Sequence, residues 1–193
     1  MKNITSLLLT TNKRNPYLYR ASTIYKSLSP LDHDIILTIT EGCINSHENK
    51  SFRIQVHLSP KDNDNIELAY FNIYGNYIRK PFEQLSKLKN HPYFAPPSMN
   101  INCADYQRRG VSKMLILIAF HFAKKEYPLF NDKSELFIDT DASTIVGQDA
   151  HGNPISYWTA IGMSDNEDSP SNAVSIGYEK RCLVKDLHPY LFR

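Results

Sequence analysis

Cysteine is scarce in this chain: Cys43, Cys103 and Cys182 are odd in number, far apart and without a CxxC pair. That argues against a disulfide framework or a zinc site and points to reduced thiols in a cytoplasmic protein. Net charge is scarce too. Twenty-two Lys and Arg nearly balance 20 Asp and Glu, for a formal net charge of +2. A dedicated nucleic-acid binder carries a larger and clustered basic excess, so no nucleic-acid partner is expected. Long apolar runs are missing. Leu7-Leu8-Leu9 is too short for the apolar stretch of a secretory signal. The most apolar segment is interrupted by His121, Lys124 and Lys125, so no membrane span is expected. There is no internal repeat and no low-complexity tract.

What is present suits a packed domain. At 193 residues and 41% hydrophobic content, the chain reads as a single domain over 1–193, with 1–30 as an N-terminal helical extension. Within that extension Tyr17, Tyr19, Ile24, Tyr25 and Leu28 are expected to line one helical face, ended by Pro30. Three strands are expected next, over 35–40, 52–58 and 66–74, with turn chemistry at Glu41-Gly42 and over 59–65. Short loops between them suggest an antiparallel meander. Residues 79–97 read as irregular, with a short helix over 82–88. A fourth strand is expected over 99–103 and a buried helix over 112–126, stopped by Pro128. A fifth strand follows over 136–139. Pro154, behind Asn153 as a cap, predicts a helix running to Gly162. The polar, acidic stretch 164–172 reads as a loop, and strands over 174–178 and 181–184 as a closing hairpin. The fold class is therefore α/β, with a mixed, largely antiparallel central sheet of about six or seven strands flanked by helices.

Residues 107–113, Gln-Arg-Arg-Gly-Val-Ser-Lys, stand at the mouth of the most hydrophobic segment, which begins Met114-Leu115-Ile116-Leu117. A strand, a tight glycine turn and a buried helix present backbone N–H groups that have no intrahelical partner, at the end of the helix that favours anions. Gly110 lets a ligand approach the backbone, Ser112 can add a hydroxyl, and Arg108 and Arg109 can supply charge. A pyrophosphate fits such converging donors better than a carboxylate does. The other reading is a solvated loop that only caps a core helix.

The run from Asn102 to Leu115 resembles motif A of the GNAT-type N-acetyltransferase superfamily, a strand followed by Gln/Arg-x-x-Gly-x-Gly/Ala and a helix. Here it reads Gln107-x-x-Gly110-x-Ser112, with serine at a position the family fills with glycine or alanine. Ser156-Tyr157-Trp158-Thr159-Ala160-Ile161-Gly162-Met163 resembles the family's later helix, and Cys182 to Leu187 its closing strand. The three stretches come in the family's order across about half the chain.

The resemblance implies a sheet splayed after its fourth strand and an acetyl-coenzyme A site. Asn102 and Cys103 would contact the pantetheine and thioester. Gln107, Arg108, Arg109, Gly110, Val111, Ser112 and Lys113 would cradle the pyrophosphate. It implies direct attack by a primary amine, with no metal. The amine could belong to a small molecule, a peptide or a protein, and a homodimer is one assembly open to the chain. The family's usual tyrosine acid aligns with Trp158, which cannot serve. Three outcomes stay open: Tyr157 protonates the leaving thiolate, solvent does, or the chain is a catalytically silent module that binds coenzyme A or a protein partner. Asp139 is the base of choice, ahead of Asp141, Glu41, His57 and Glu67. His121 reads as a satisfied core histidine and Cys103 as a buried strand thiol rather than an acyl carrier.

Overall fold

The structure is a computed structural model that describes residues 2–11, 13–28, 32–43, 50–75, 93–128, 130–138, 145–165 and 180–193. The expected helix over 82–88, the strand over 174–178, Asp139, Asp141 and most of the acidic loop lie outside them.

The chain opens with β1 (Lys2–Asn3), α1 (Thr5–Thr10) and α2 (Pro16–Ser27). Asn15 caps α2 by accepting from the Leu18 N–H at 3.2 Å, and Pro16 sits at the first helical position, where its missing donor costs nothing. Leu18, Ala21, Ile24 and Tyr25 turn into the core, while Tyr19 stays 41% exposed. Helices α1 and α2 are therefore packed into the domain core, α1 through Leu8, and β1 pairs with the next strand.

Strands β2 (His33–Cys43), β3 (Lys50–Pro60), β4 (Ala69–Gly75) and β5 (Tyr93–Ile101) form the antiparallel meander. Phe52, Ile54, Val56 and Leu58 alternate with half-buried Arg53, Gln55 and His57, as period two demands. Glu41-Gly42 does not end β2, which runs on to Cys43 in register with Lys50. Gly75 faces the Phe52 ring so closely that an added Cβ would lie 1.9 Å from it. That ring in turn stacks on Tyr127 at 3.6 Å.

After β5 a single 3₁₀ turn (Ala104–Tyr106) leads into α3 (Val111–Glu126). Residues 114 to 120 of α3 are all buried, because the helix is covered by β3, β4 and β5 on one side and by α2 on another. Then come β6 (Glu135–Ile138), an antiparallel hairpin of β7 (Ile145–Gln148) and β8 (Pro154–Ser156), the short α4 (Tyr157–Ala160), β9 (Ser164–Asp165), β10 (Lys180–Leu183) and α5 (Val184–Phe192). Among the described residues the main sheet holds eight strands in the order β1-β2-β3-β4-β5-β6-β10-β9, two of them only two residues long. Every pairing is antiparallel except β5 with β6. The chain is thus mixed α/β, and no described helix is long and apolar enough to cross a membrane.

Three expectations are corrected. Pro154 opens a strand rather than a helix, a place proline tolerates. Asn153 is not a cap, since its amide donates to Asp149; Ser156 caps α4 instead, accepting from Thr159. Residues 184–187 are the start of α5, not of a strand. The first N–H groups of α5 are taken by Ser134 and Asp132 carbonyls at 2.9 and 3.1 Å, and the Asp186 carboxylate accepts from the Leu183 N–H. Val184, Leu187 and Leu191 form its buried stripe.

Candidate functional site

Two features place the site. The first is where the described ladder between β5 and β6 stops. Tyr93 pairs with Glu135 and Phe94 with Leu136, and no further pair joins these parallel strands among the described residues. Pro96 and Pro97 come directly after. Neither has an N–H to donate, and together they face Ile73 in a bulge, two residues against one, between the Asn72–Ser98 and Tyr74–Ala95 pairs. From there to Ile101, β5 has a ladder only with β4 among the described residues, and β6 is described only as far as Ile138.

The second is the turn itself. Arg108 (φ 60°) and Gly110 (φ 79°) are both left-handed and swing the chain into the helix. Gly110 is the N-cap; its carbonyl accepts the Met114 N–H at 2.9 Å, and no side chain caps the helix. The N–H groups of Val111, Ser112 and Lys113 precede that first helical bond. A Cβ at Gly110 would lie 3.3 Å from Ile24 Cγ2, so the residue serves both the left-handed turn and the close approach of α2.

Two side chains moor the turn. Tyr106 is buried, its hydroxyl on His33 Nε2 and its ring edge-on to the imidazole at 5.0 Å. His33 itself is only 6% exposed, its carbonyl accepts from the Tyr25 hydroxyl, and burial pushes its pKa down. Arg109 donates from its guanidinium to the Ser27 carbonyl at the end of α2, at 3.1 Å.

A group of hydroxyls gathers at the first turn of α3. The Tyr157 hydroxyl is 3.0 Å from that of Tyr190, and Ser112 lies close enough to pull its pKa slightly down. Burial first, and Tyr190 second, hold Tyr157 protonated far above the ordinary tyrosine range. The Lys113 ammonium stands 4.7 Å over the Tyr190 ring, and burial lowers its pKa.

No family model, curated protein or solved structure matches this chain. Its chemistry must be read from its own residues.

Of the residues singled out from the sequence, Gly110, Val111, Ser112 and Lys113 do form one helix N-terminus, and Tyr157 is brought to it from far along the chain. Gln107 and Arg108 are exposed. Arg109 is engaged with Ser27 and is a mooring of the turn before it is anything else. Asn102 is also engaged: its N–H donates to Leu68 O at 2.8 Å and its amide to Glu67 O at 3.0 Å. Cys103 is half-buried and free, with its carbonyl bonded to the Tyr106 N–H. Trp158 is a core residue, 7% exposed. His57 lies on the sheet face away from α3, its pKa lowered by burial against an opposing pull from Glu67, and Gln55 donates to Glu67 at 3.3 Å. His121 meets Asn15 Nδ2 through Nδ1 at 3.1 Å but is half-buried rather than in the core. Tyr190 and the His33–Tyr106 contact have no local signal in the sequence; both are pairings across tens of residues. Among the described residues no group of three or more metal-ligating side chains is present.

Proposed function

We propose that this chain is an acetyl-coenzyme A-dependent N-acetyltransferase of the GNAT type, acting on a primary amine. The observation that carries the reading is the uncapped N-terminus of α3 behind a left-handed glycine turn, with the Tyr157 hydroxyl beside it. A splay of β5 from β6 beyond their last described pair would offer unpaired backbone to an extended amide chain such as pantetheine. The N-terminus of α3 offers N–H groups and a favourable dipole to its pyrophosphate. The cradle is then the backbone of 110–113, helped by Ser112, with Arg108 as the exposed cation. Arg109 acts through the shape of the turn.

The chemistry follows from what lies there. The amine attacks the thioester carbon, the C–N bond forms and the C–S bond breaks. The amine proton leaves to water. The sulfur takes a proton from Tyr157; burial makes that hydroxyl a weaker acid than a free tyrosine, so the transfer depends on partners that stabilise its oxygen as the proton leaves. Trp158 has no part in this, because it faces the core.

A thermal-shift titration with acetyl-coenzyme A tests the reading. A ligand at a hundred times its Kd stabilises the protein by about 2.7 kcal/mol. No shift at millimolar concentration removes it and leaves the glycine turn as a helix cap. A shift without transfer to any amine leaves a binding module that has lost catalysis.

A further inference from the structure

We infer that Tyr190, on the C-terminal helix, is a positioning residue for acyl transfer: its hydroxyl orients that of Tyr157 and supports the oxygen when the Tyr157 proton goes to the departing sulfur. This rests on the reading above and adds a residue from a part of the chain that the glycine-turn motif does not include.

The geometry is specific. Helix α5 packs by Val184, Leu187 and Leu191, and Tyr190 stands beside that stripe, half-buried, reaching toward the first turn of α3. The two rings meet edge to face, 6.4 Å apart and at 87°, with their hydroxyls 3.0 Å apart. Lys113 covers the Tyr190 ring from above. Tyr157 is held on its other side by Trp158, 5.3 Å away and at 75°. The hydroxyl at the head of α3 is thus fixed by two rings and one hydroxyl partner rather than by its own short helix, which is four residues long.

Each hydroxyl has one proton to give. When Tyr190 donates to the Tyr157 oxygen, the Tyr157 proton stays free to face a ligand. The step then balances. The C–S bond breaks, the sulfur takes the Tyr157 proton, and the resulting tyrosinate is held by the O–H group of Tyr190 and by the positive end of α3. Tyr190 passes its proton to Tyr157 and recovers one from water. Without Tyr190, the buried tyrosinate loses a donor at the moment it carries charge.

The test is a cycle of Tyr190→Phe, Tyr157→Phe and the double variant. The probe is acetyl-coenzyme A with ethanolamine, a lysine peptide and water each as acceptor, and free thiol is the readout. Phenylalanine keeps both rings, and the thermal midpoint of each variant checks the fold. Tyr190→Phe should lower kcat about tenfold, less than loss of the proton donor itself, with KM for acetyl-coenzyme A within about twofold of wild type. In the Tyr157→Phe background it should have no further effect. A fall in KM and kcat together, multiplicative losses in the double variant, or unchanged kcat in Tyr190→Phe would each overturn the positioning role alone. A wild-type protein that neither shifts with acetyl-coenzyme A nor releases thiol removes the transferase reading, and the role with it.

Discussion

The guanidinium of Arg109 hydrogen-bonds the carbonyl of Ser27, 82 residues earlier in the chain. The bond ties the turn that opens α3 to the end of α2, where a cation also complements the helix dipole. Arg109→Ala should therefore act first on stability, by about 0.5–1 kcal/mol, or a few degrees in thermal midpoint for a chain of this size. Arg108→Ala removes an exposed side chain and should leave the midpoint alone, while weakening coenzyme A binding by at most about 1 kcal/mol. Paired melts and titrations of the two variants check this. The opposite pattern would exchange their roles.

Gly110→Ala should be more costly than either. Its φ of 79° is unfavourable for any side chain, and the new methyl would press on Ile24. A loss of about 1–2 kcal/mol is expected from the left-handed backbone alone, read by urea denaturation. An unchanged midpoint would mean that the turn is not held left-handed.

Tyr157→Phe should lower turnover about a hundredfold or more without weakening coenzyme A binding, measured by thiol release and by titration. Trp158→Tyr should not improve turnover. The ring is buried against the core, so the change costs packing, about 1–3 kcal/mol. Faster transfer in Trp158→Tyr would place the acid at 158 instead.

His33, His57 and His121 all have pKa values lowered by burial as the leading cause. Each is harder to protonate folded than unfolded. Stability is therefore complete above the unfolded value, about pH 6.5, and is lost as pH falls below it toward the folded values. For His33 the neighbouring charges are Asp32, which opposes the shift, and Arg109, which deepens it. Urea denaturation at pH 7.5 and pH 5 should show the loss. His33→Gln should make it shallower; an identical slope in that variant would remove His33 from the cause.

Much of the meander could be read locally, because a sheet with one buried face writes itself as alternation, as at 52–58. The buried helix could be read because Met114 to Phe120 leaves no polar face at all. Helix α5 could not. Its first four residues, Val184-Lys185-Asp186-Leu187, carry apolar ends that fit either period, and Pro189 argues against a helix until the fold pays its cost. The same limit hid the site. Gly110 advertises a turn, but the pairing of Tyr157 with Tyr190 and of Tyr106 with His33 depends on where whole elements dock, and no window of sequence contains both partners. Tyr157 was within reach only as the neighbour of an unsuitable Trp158.

The proline pair where the described β5–β6 ladder ends has one more consequence. A sheet that opens in its interior creates a new edge there, and bare edges recruit stray strands from other molecules. Pro96 and Pro97 remove two successive donors just past the last described pair, and the bulge they form against Ile73 breaks the flat repeat that an intruding strand would need. Pro96 and Pro97 are thus a guard against aggregation, and replacing both with residues that can donate would put the protein's solubility at risk.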